Sequence, residues 1–515
     1  MLERKRRKAD RCYLRDLLTR RQLSAGLIGL SAKGERRITG SFVDSSHLMG
    51  HRLRDHAPGA SKPAETVRVP VAIVGGGMAG LCAAWWLDRH RLRDYAVLEM
   101  EQQAGGNSRW GEGEAGAYPW AAHYIPVPGP GAALVSDLLS ELGVLQNGVW
   151  EERHLCHSPQ ERLFLHGRWQ EGIEPELGVT REDRAEYRRF QTMVDEFAAS
   201  GEFRIPLETG KCRRADLDAL SFEAWLAREG FRSAPLHWYM NYACRDDYGG
   251  SAASVSAWAG LHYFAARRET SEKGPLTWPE GNGWVARKLI ERVGSRLRTG
   301  EFVTRIERAG TRWRIHGSKA SYLADAVIFA APGFLLPYVL DKPPERPALT
   351  YSPWLTANLT LDRWPNERGM PVAWDNVIYR SPALGYVVST HQSLRTRIDR
   401  TVWTYYWALA EETPQAGRRA LLERGWDWWK EAILEDLEQA HPDIRTCVSR
   451  VDIMRIGHAM ARPVPGFLKT RGTHRLDDRF VLANSDLSGL SIFEEAQYRG
   501  VEAAREVLRR LGRSG

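Results

Sequence analysis

The chain has 515 residues, more than one hydrophobic core usually holds, so two adjacent or intertwined domains are expected. Hydrophobic residues make up 43% and charged residues 26%, which excludes collagen-like, coiled-coil and low-complexity classes and argues against disorder as the dominant state. Of the 72 basic and 64 acidic residues, 14 and 6 fall within residues 1–60, leaving 58 of each sign in the rest, so the net charge of +8 belongs to the leader and no nucleic-acid-binding body is indicated.

The leader carries Arg6-Arg7 and Arg20-Arg21 and runs into an uncharged segment at residues 23–32. Charged region, Thr19-Arg20-Arg21-Gln22-Leu23 and short apolar segment together resemble a twin-arginine export signal. The other reading is a basic arm that touches anionic lipid, so the expectation is a periplasmic or membrane-associated protein, and otherwise a cytoplasmic one. Residues 34–64 are polar and read as a linker or surface strap, which makes residues 1–65 separable from the fold.

At residue 69 the run Val-Pro-Val-Ala-Ile-Val predicts a central parallel strand, and it leads directly into Gly75-Gly76-Gly77-Met78-Ala79-Gly80. In a G-x-G-x-x-G turn Gly75 permits the tight bend, Gly77 lets backbone approach a pyrophosphate, and Gly80 lets the following helix pack on the strand. The helix N-terminus, with Met78 and Ala79 in its first turn, favours phosphate. A second strand at residues 95–98 ends at Glu99, 19 residues after Gly80, where a carboxylate accepts both ribose hydroxyls of an adenosine and repels a 2′-phosphate.

Six residues past Glu99 stands Gly105-Gly106-Asn107-Ser108-Arg109, a second glycine turn. From here the sequence resembles the flavin-containing amine oxidase superfamily, and the resemblance extends over most of the body. Asn107 stands where that family usually has Arg, with Arg109 as the substitute. Ala121-Ala122-His123-Tyr124 occupies the place of the segment passing the flavin face. Trp278-Pro279-Glu280-Gly281-Asn282-Gly283-Trp284 looks like the loop before a helix, and strands near residues 303–306, 313–315 and 326–330 end in Ala331-Pro332. A closing strand, residues 479–486, is followed by a helix over residues 489–510.

The resemblance implies non-covalently bound FAD, held by Gly75, Gly77, Met78, Ala79, Gly80, Glu99, Gly105, Gly106, Asn107, Arg109, Val303 at the adenine and Asp486 at the ribityl chain. It implies an α/β, doubly wound Rossmann-like FAD-binding domain assembled from residues 66–130, 278–340 and 472–512. An α+β substrate domain, residues 131–277 and 341–471, is interleaved with it. The first insert is expected to be helical at residues 181–199, 222–229, 235–244 and 254–268. The second is expected to hold strands at 355–361, 376–379, 386–389 and 401–409 before one long helix at 415–440. Trp403, Tyr405 and Trp407 alternate, so they share one face of their strand, lining a cavity or packing on that helix.

Members of the superfamily remove a hydride from the carbon next to nitrogen, and many carry a Lys on the first long strand of the substrate domain. This chain has Asn358 nearest that place. His123, Tyr124 and Asn358 are therefore the side chains expected nearest flavin N5, with His123 either receiving the substrate proton or only positioning its loop. Oxidation of a small amine or polyamine is the leading expectation. A flavin desaturase or isomerase acting on an apolar, lipid-like substrate and a non-catalytic FAD-binding protein are the alternatives. The six Cys form no C-x-x-C pair, and His154-Leu155-Cys156-His157 has no second ligand cluster, so no metal centre is expected. Oligomeric state is not legible.

Overall fold

A computed structural model of the protein describes residues 37–43, 47–55, 65–211, 214–270, 274–343, 349–367, 369–411, 413–471 and 475–513. The twin-arginine segment lies outside them. Within the unit spanning residues 38–515, the elements that position the site are β1 (Thr66–Val74), α1 (Met78–Arg89), β2 (Tyr95–Leu98), β3 (Glu161–Leu165), α2 (Ala234–Tyr248) and α3 (Ala257–Ala265). They continue with β4 (Val303–Ala309), β5 (Arg312–Gly317), β6 (Ser321–Phe329), β7 (Thr350–Leu361), β8 (Asp375–Ile378), β9 (Gly385–Val388), β10 (Thr401–Ala408), β11 (Val448–Arg462), β12 (Phe480–Leu482) and α4 (Phe493–Arg510).

The first sheet runs Leu297–Arg298, β2, β1, β6, β5, β4, with β12 also paired to β6. β1, β2, β6 and β12 are parallel, and β4 and β5 close the sheet as an antiparallel pair. Val71, Ala72, Ile73 and Val74 are all buried because helices cover the strand, which is why β1 reads as an unbroken apolar run rather than an alternating one. α1 packs against both this sheet and α4, which also contacts the sheet, and its residues from Met78 to Leu87 are buried throughout. This is a Rossmann-like α/β domain whose strands come from three separate stretches of chain.

The second sheet has eight strands in the order Thr39–Phe42, β11, β7, β10, β9, β8, β3, Arg168–Glu171. One face packs Trp403 and Tyr405 with Trp429, Ile433 and Leu437. Trp407 meets Trp429 edge-on at 5.5 Å. The alternating aromatic triplet therefore belongs to the core, and the intervening Tyr406 faces the cavity. The helix expected at residues 415–440 is two helices, Pro414–Glu423 and Trp426–Glu438, parted where Gly425 takes up an extended conformation (φ −71°, ψ 165°) and caps the second.

The stretch read as a linker contributes to the body. Thr39–Phe42 pairs in parallel with β11 at the sheet edge, and Leu53, in a helix at His47–Arg54, packs against the first sheet. Among the described residues no helix is long and apolar enough to cross a membrane.

Candidate active site

Two adjoining cavities, of about 1520 Å³ and about 870 Å³, lie between the sheets. Both are lined by Asn107, Asn282, Ser491, Ile492 and Phe493, so they meet at the N-terminus of α4.

The larger cleft follows the C-terminal ends of β1 and β2. Gly75, at φ +107°, leaves no room for a side chain: a Cβ there would lie 2.7 Å from the Ala331 nitrogen. A Cβ on Gly80 would sit 1.9 Å from the Gly75 carbonyl oxygen, so that glycine serves the helix-strand contact and lines neither cavity. At Gly77 the nearest protein atom to an added Cβ is 3.9 Å away, and the space beside it belongs to the cleft. Glu99 accepts hydrogen bonds from the Gly76 amide (2.7 Å) and the Glu101 amide (2.8 Å), while burial pushes its carboxyl upward.

Met78, Ala79, Gly105, Gly106, Asn107 and Val303 line the same cleft. At its far end Asp486 accepts from the Gly333 amide (2.7 Å) and the Tyr351 hydroxyl (2.6 Å). Arg109 is turned away: its guanidinium donates to the Gly106 carbonyl (3.1 Å) and approaches Met454 Sδ at 3.6 Å, and it lines neither cavity. The basic side chain expected to replace a family arginine is thus held against the second sheet.

The smaller cavity is aromatic and acidic. The His123 ring centroid lies 4.6 Å from that of Tyr406, 5.1 Å from Tyr124 and 5.4 Å from Trp374. His123 is fixed by a 3.2 Å contact between Nδ1 and the Ala121 carbonyl, and burial lowers its pKa to about 4. Asp246 and Asp247, from the last turn of α2, face it. Arg267 holds Asp247 through two hydrogen bonds of 2.9 and 3.0 Å. The Asp246 carboxyl, deprived of water and next to the Asp247 charge, rises to about 7. Burial brings Glu494, in the first turn of α4, to about 7 as well.

Asn358, expected beside the reacting atoms, lines neither cavity. Its amide donates to the Pro119 carbonyl (3.1 Å) and accepts from the Thr404 hydroxyl (2.6 Å), so it braces the loop that leads to His123. The positions on β7 that line the smaller cavity are Trp354 and Thr356, four and two residues earlier. Thr356 Oγ1 and Asn282 Oδ1 are buried with no hydrogen-bond partner, as is Trp354 Nε1, and all three residues line this cavity. Sequence reasoning singled out none of them as cavity residues.

His154, read beside Cys156 and His157, accepts from Trp278 Nε1 (2.9 Å) and is structural.

Residues 73–142 match the family model described as an NAD(P)-binding Rossmann-like domain. No curated protein matches the chain by sequence. Among solved structures it is similar to a putrescine oxidase bound to putrescine, at 18% identity and TM-score 0.66, over 86% of this chain and 100% of that one. It is similar to cyclohexylamine oxidase from Brevibacterium oxydans at 16% identity and TM-score 0.65, over the same shares. A conjugated-linoleic-acid-producing fatty acid isomerase from P. acnes follows at 15% identity and TM-score 0.60, over 84% of this chain and 97% of that one.

Proposed function

We propose, on the premise that the chain has the fold of the flavin-containing amine oxidase superfamily, that it is an FAD-dependent oxidoreductase acting on the C–N bond of an amine. The observation that carries this reading is the meeting of a dinucleotide-shaped cleft with a cavity walled by aromatic rings and buried carboxylates. A cavity of that kind favours a cation through charge and ring faces and penalises an apolar chain, which would strip water from the carboxylates and return nothing.

The residues present fit FAD. Gly75, Gly77 and the N-terminus of α1 would hold the pyrophosphate, with Glu99 on the adenosine ribose, Val303 at the adenine, Asp486 on the ribityl chain and the N-terminus of α4 towards the flavin ring. Bound FAD supplies a two-electron acceptor for the hydride leaving the carbon next to nitrogen.

The protein's part is to bind the amine, free its lone pair and exclude water. His123, Tyr124 and Tyr406 form the aromatic wall, and Trp374 packs on His123 and Tyr124. A substrate ammonium must lose its proton before hydride can leave. His123, with a pKa near 4, is a poor acceptor at neutral pH, and Asp246, near 7, is the matched one. Asn282 Oδ1 and Thr356 Oγ1 offer the substrate N–H groups two acceptors that lack a donor. Dye reduction by purified protein across a panel of amines tests the reading; activity with apolar lipids alone would refute it. The basic leader is read as an export or membrane-contacting arm, which fractionation of cells expressing full-length chain tests.

A further inference from the structure

The strand Thr39–Phe42 runs beside β11, with Thr39 opposite Arg450 and Phe42 opposite Ile453. The fit is close. A Cβ on Gly40, at φ +141°, would lie 1.8 Å from the Val451 carbonyl oxygen, and the Arg455 guanidinium lies 3.8 Å from the centre of the Phe42 ring. Farther along β11, His458, Ala459 and Ala461 line the larger cleft. The strand is therefore fixed to an element that forms one side of that cleft.

The helix His47–Arg54 rests on the first sheet. Leu53 joins the apolar cluster of Val74, Val303, Leu336 and Val339. Gly50 and Leu53, about one turn apart on one helix face, both line the larger cleft. A Cβ added to Gly50 would meet no atom within 4 Å, so there is open room beside it. Leu48, two residues before Gly50 and so on the far face, is 66% exposed. None of the eight residues is fully buried, so the helix is held lightly and can open without the body unfolding.

Its charge suits a diphosphate. Residues 47–54 include His47, His51, Arg52 and Arg54 and no acid. Burial and the charges of Arg418 and His51 lower His458 to about 4, so the field on this side of the cleft is positive. His458 packs on Tyr351 with ring centres 5.9 Å apart, and the Tyr351 hydroxyl donates to Asp486 (2.6 Å). The helix thus stands at the Asp486 end of the cleft.

We propose that the helix His47–Arg54 is the outer wall of the cofactor site: Gly50 and Leu53 cover FAD once it lies in the cleft, and flavin enters and leaves by lifting of this helix while Thr39–Phe42 stays paired. Release then waits on a local opening of the N-terminal strap rather than on unfolding of the sheets. The inference rests on the FAD reading above and adds to it a cofactor-contacting element that lies before the glycine turn.

Two measurements on the full-length, flavin-loaded chain test it. Flavin release after dilution, followed by fluorescence, should be at least about tenfold faster in Gly50→Trp, which fills the room beside the cleft, and in Leu53→Ala, which loosens the helix. Leu48→Trp, on the exposed face, should release flavin as wild type does. Hydrogen exchange at the amides of residues 47–54 should be slower with FAD bound than in apoprotein. Should a variant fail to fold, as circular dichroism would show, exchange in the wild-type chain decides alone. Release at the wild-type rate from either folded cleft-side variant, equal acceleration by Leu48→Trp, or exchange that FAD leaves unchanged overturns the proposal. Failure of the FAD reading shows differently, as a wild-type chain that takes up no flavin.

Discussion

Glu99 Oε2 lies 2.7 Å from the Gly76 amide nitrogen, so the end of the second strand is tied to the glycine turn after the first. The other carboxylate oxygen is held by the Glu101 amide, and the group lines the larger cleft. Glu99→Ala removes the carboxylate that would take the ribose hydroxyls. It should weaken FAD by about 1.5–3 kcal/mol, the range for a hydrogen bond to a charged group. Flavin fluorescence on serial dilution measures this, and unchanged retention would contradict it.

α4 crosses α1 at a point where no side chain fits. A Cβ on Gly500 would lie 2.1 Å from the Ala79 carbonyl oxygen. Gly500→Ala should therefore cost about 1–3 kcal/mol of stability through overpacking. Gly129→Ala, with nothing within 4 Å of the added atom, is the control. Thermal unfolding of both proteins decides, and equal midpoints would count against this packing.

Asp246 sets a pH dependence of known sign. Its carboxyl is raised to about 7 by burial and by Asp247, so it accepts a proton only above that value, and kcat/KM should rise with pH through 7. Asp246→Asn should lose this limb and about a hundredfold in rate. The same shift governs stability. A carboxyl whose folded pKa is raised contributes stability that is fully present below its ordinary range and lost as pH climbs through 7. The variant should therefore gain more in thermal midpoint over wild type at pH 8 than at pH 5. An identical gain at both would remove Asp246 as the titrating group.

The stretch before residue 65 supplies an edge strand at Thr39–Phe42, and Leu53 packs against the first sheet and lines the larger cleft. A chain beginning at Glu65 should unfold at lower temperature and retain less flavin than one beginning at Ile38, because it uncovers the backbone edge of β11. Equal behaviour would show that the edge strand adds nothing.

These elements differ in how far they could be read in advance. Gly75, Gly77, Gly80 and Glu99 were legible because the constraints are local: a turn, a helix start and a strand end within 25 residues. The smaller cavity is the opposite case. His123, Asp246, Thr356 and Glu494 come from four separate stretches of chain, and only sheet register and helix packing bring them together. Asn358 was expected at the reacting atoms, and Thr356 was not, for a related reason. Both lie on the same face of β7, and which of them meets the cavity depends on where the loop at Pro119 crosses it. Thr39–Phe42 carries no apolar alternation, so nothing in its four residues announces a strand. Arg109 was misjudged because proximity to a glycine turn says nothing about which way a long side chain folds back.

The most direct test of the central claim is anaerobic mixing of purified, flavin-loaded protein with single compounds while absorbance of the oxidised flavin is followed. The account predicts bleaching by at least one amine and none by an unsaturated fatty acid. Bleaching by the fatty acid with every amine inert, or a protein that neither contains nor takes up flavin, would contradict it.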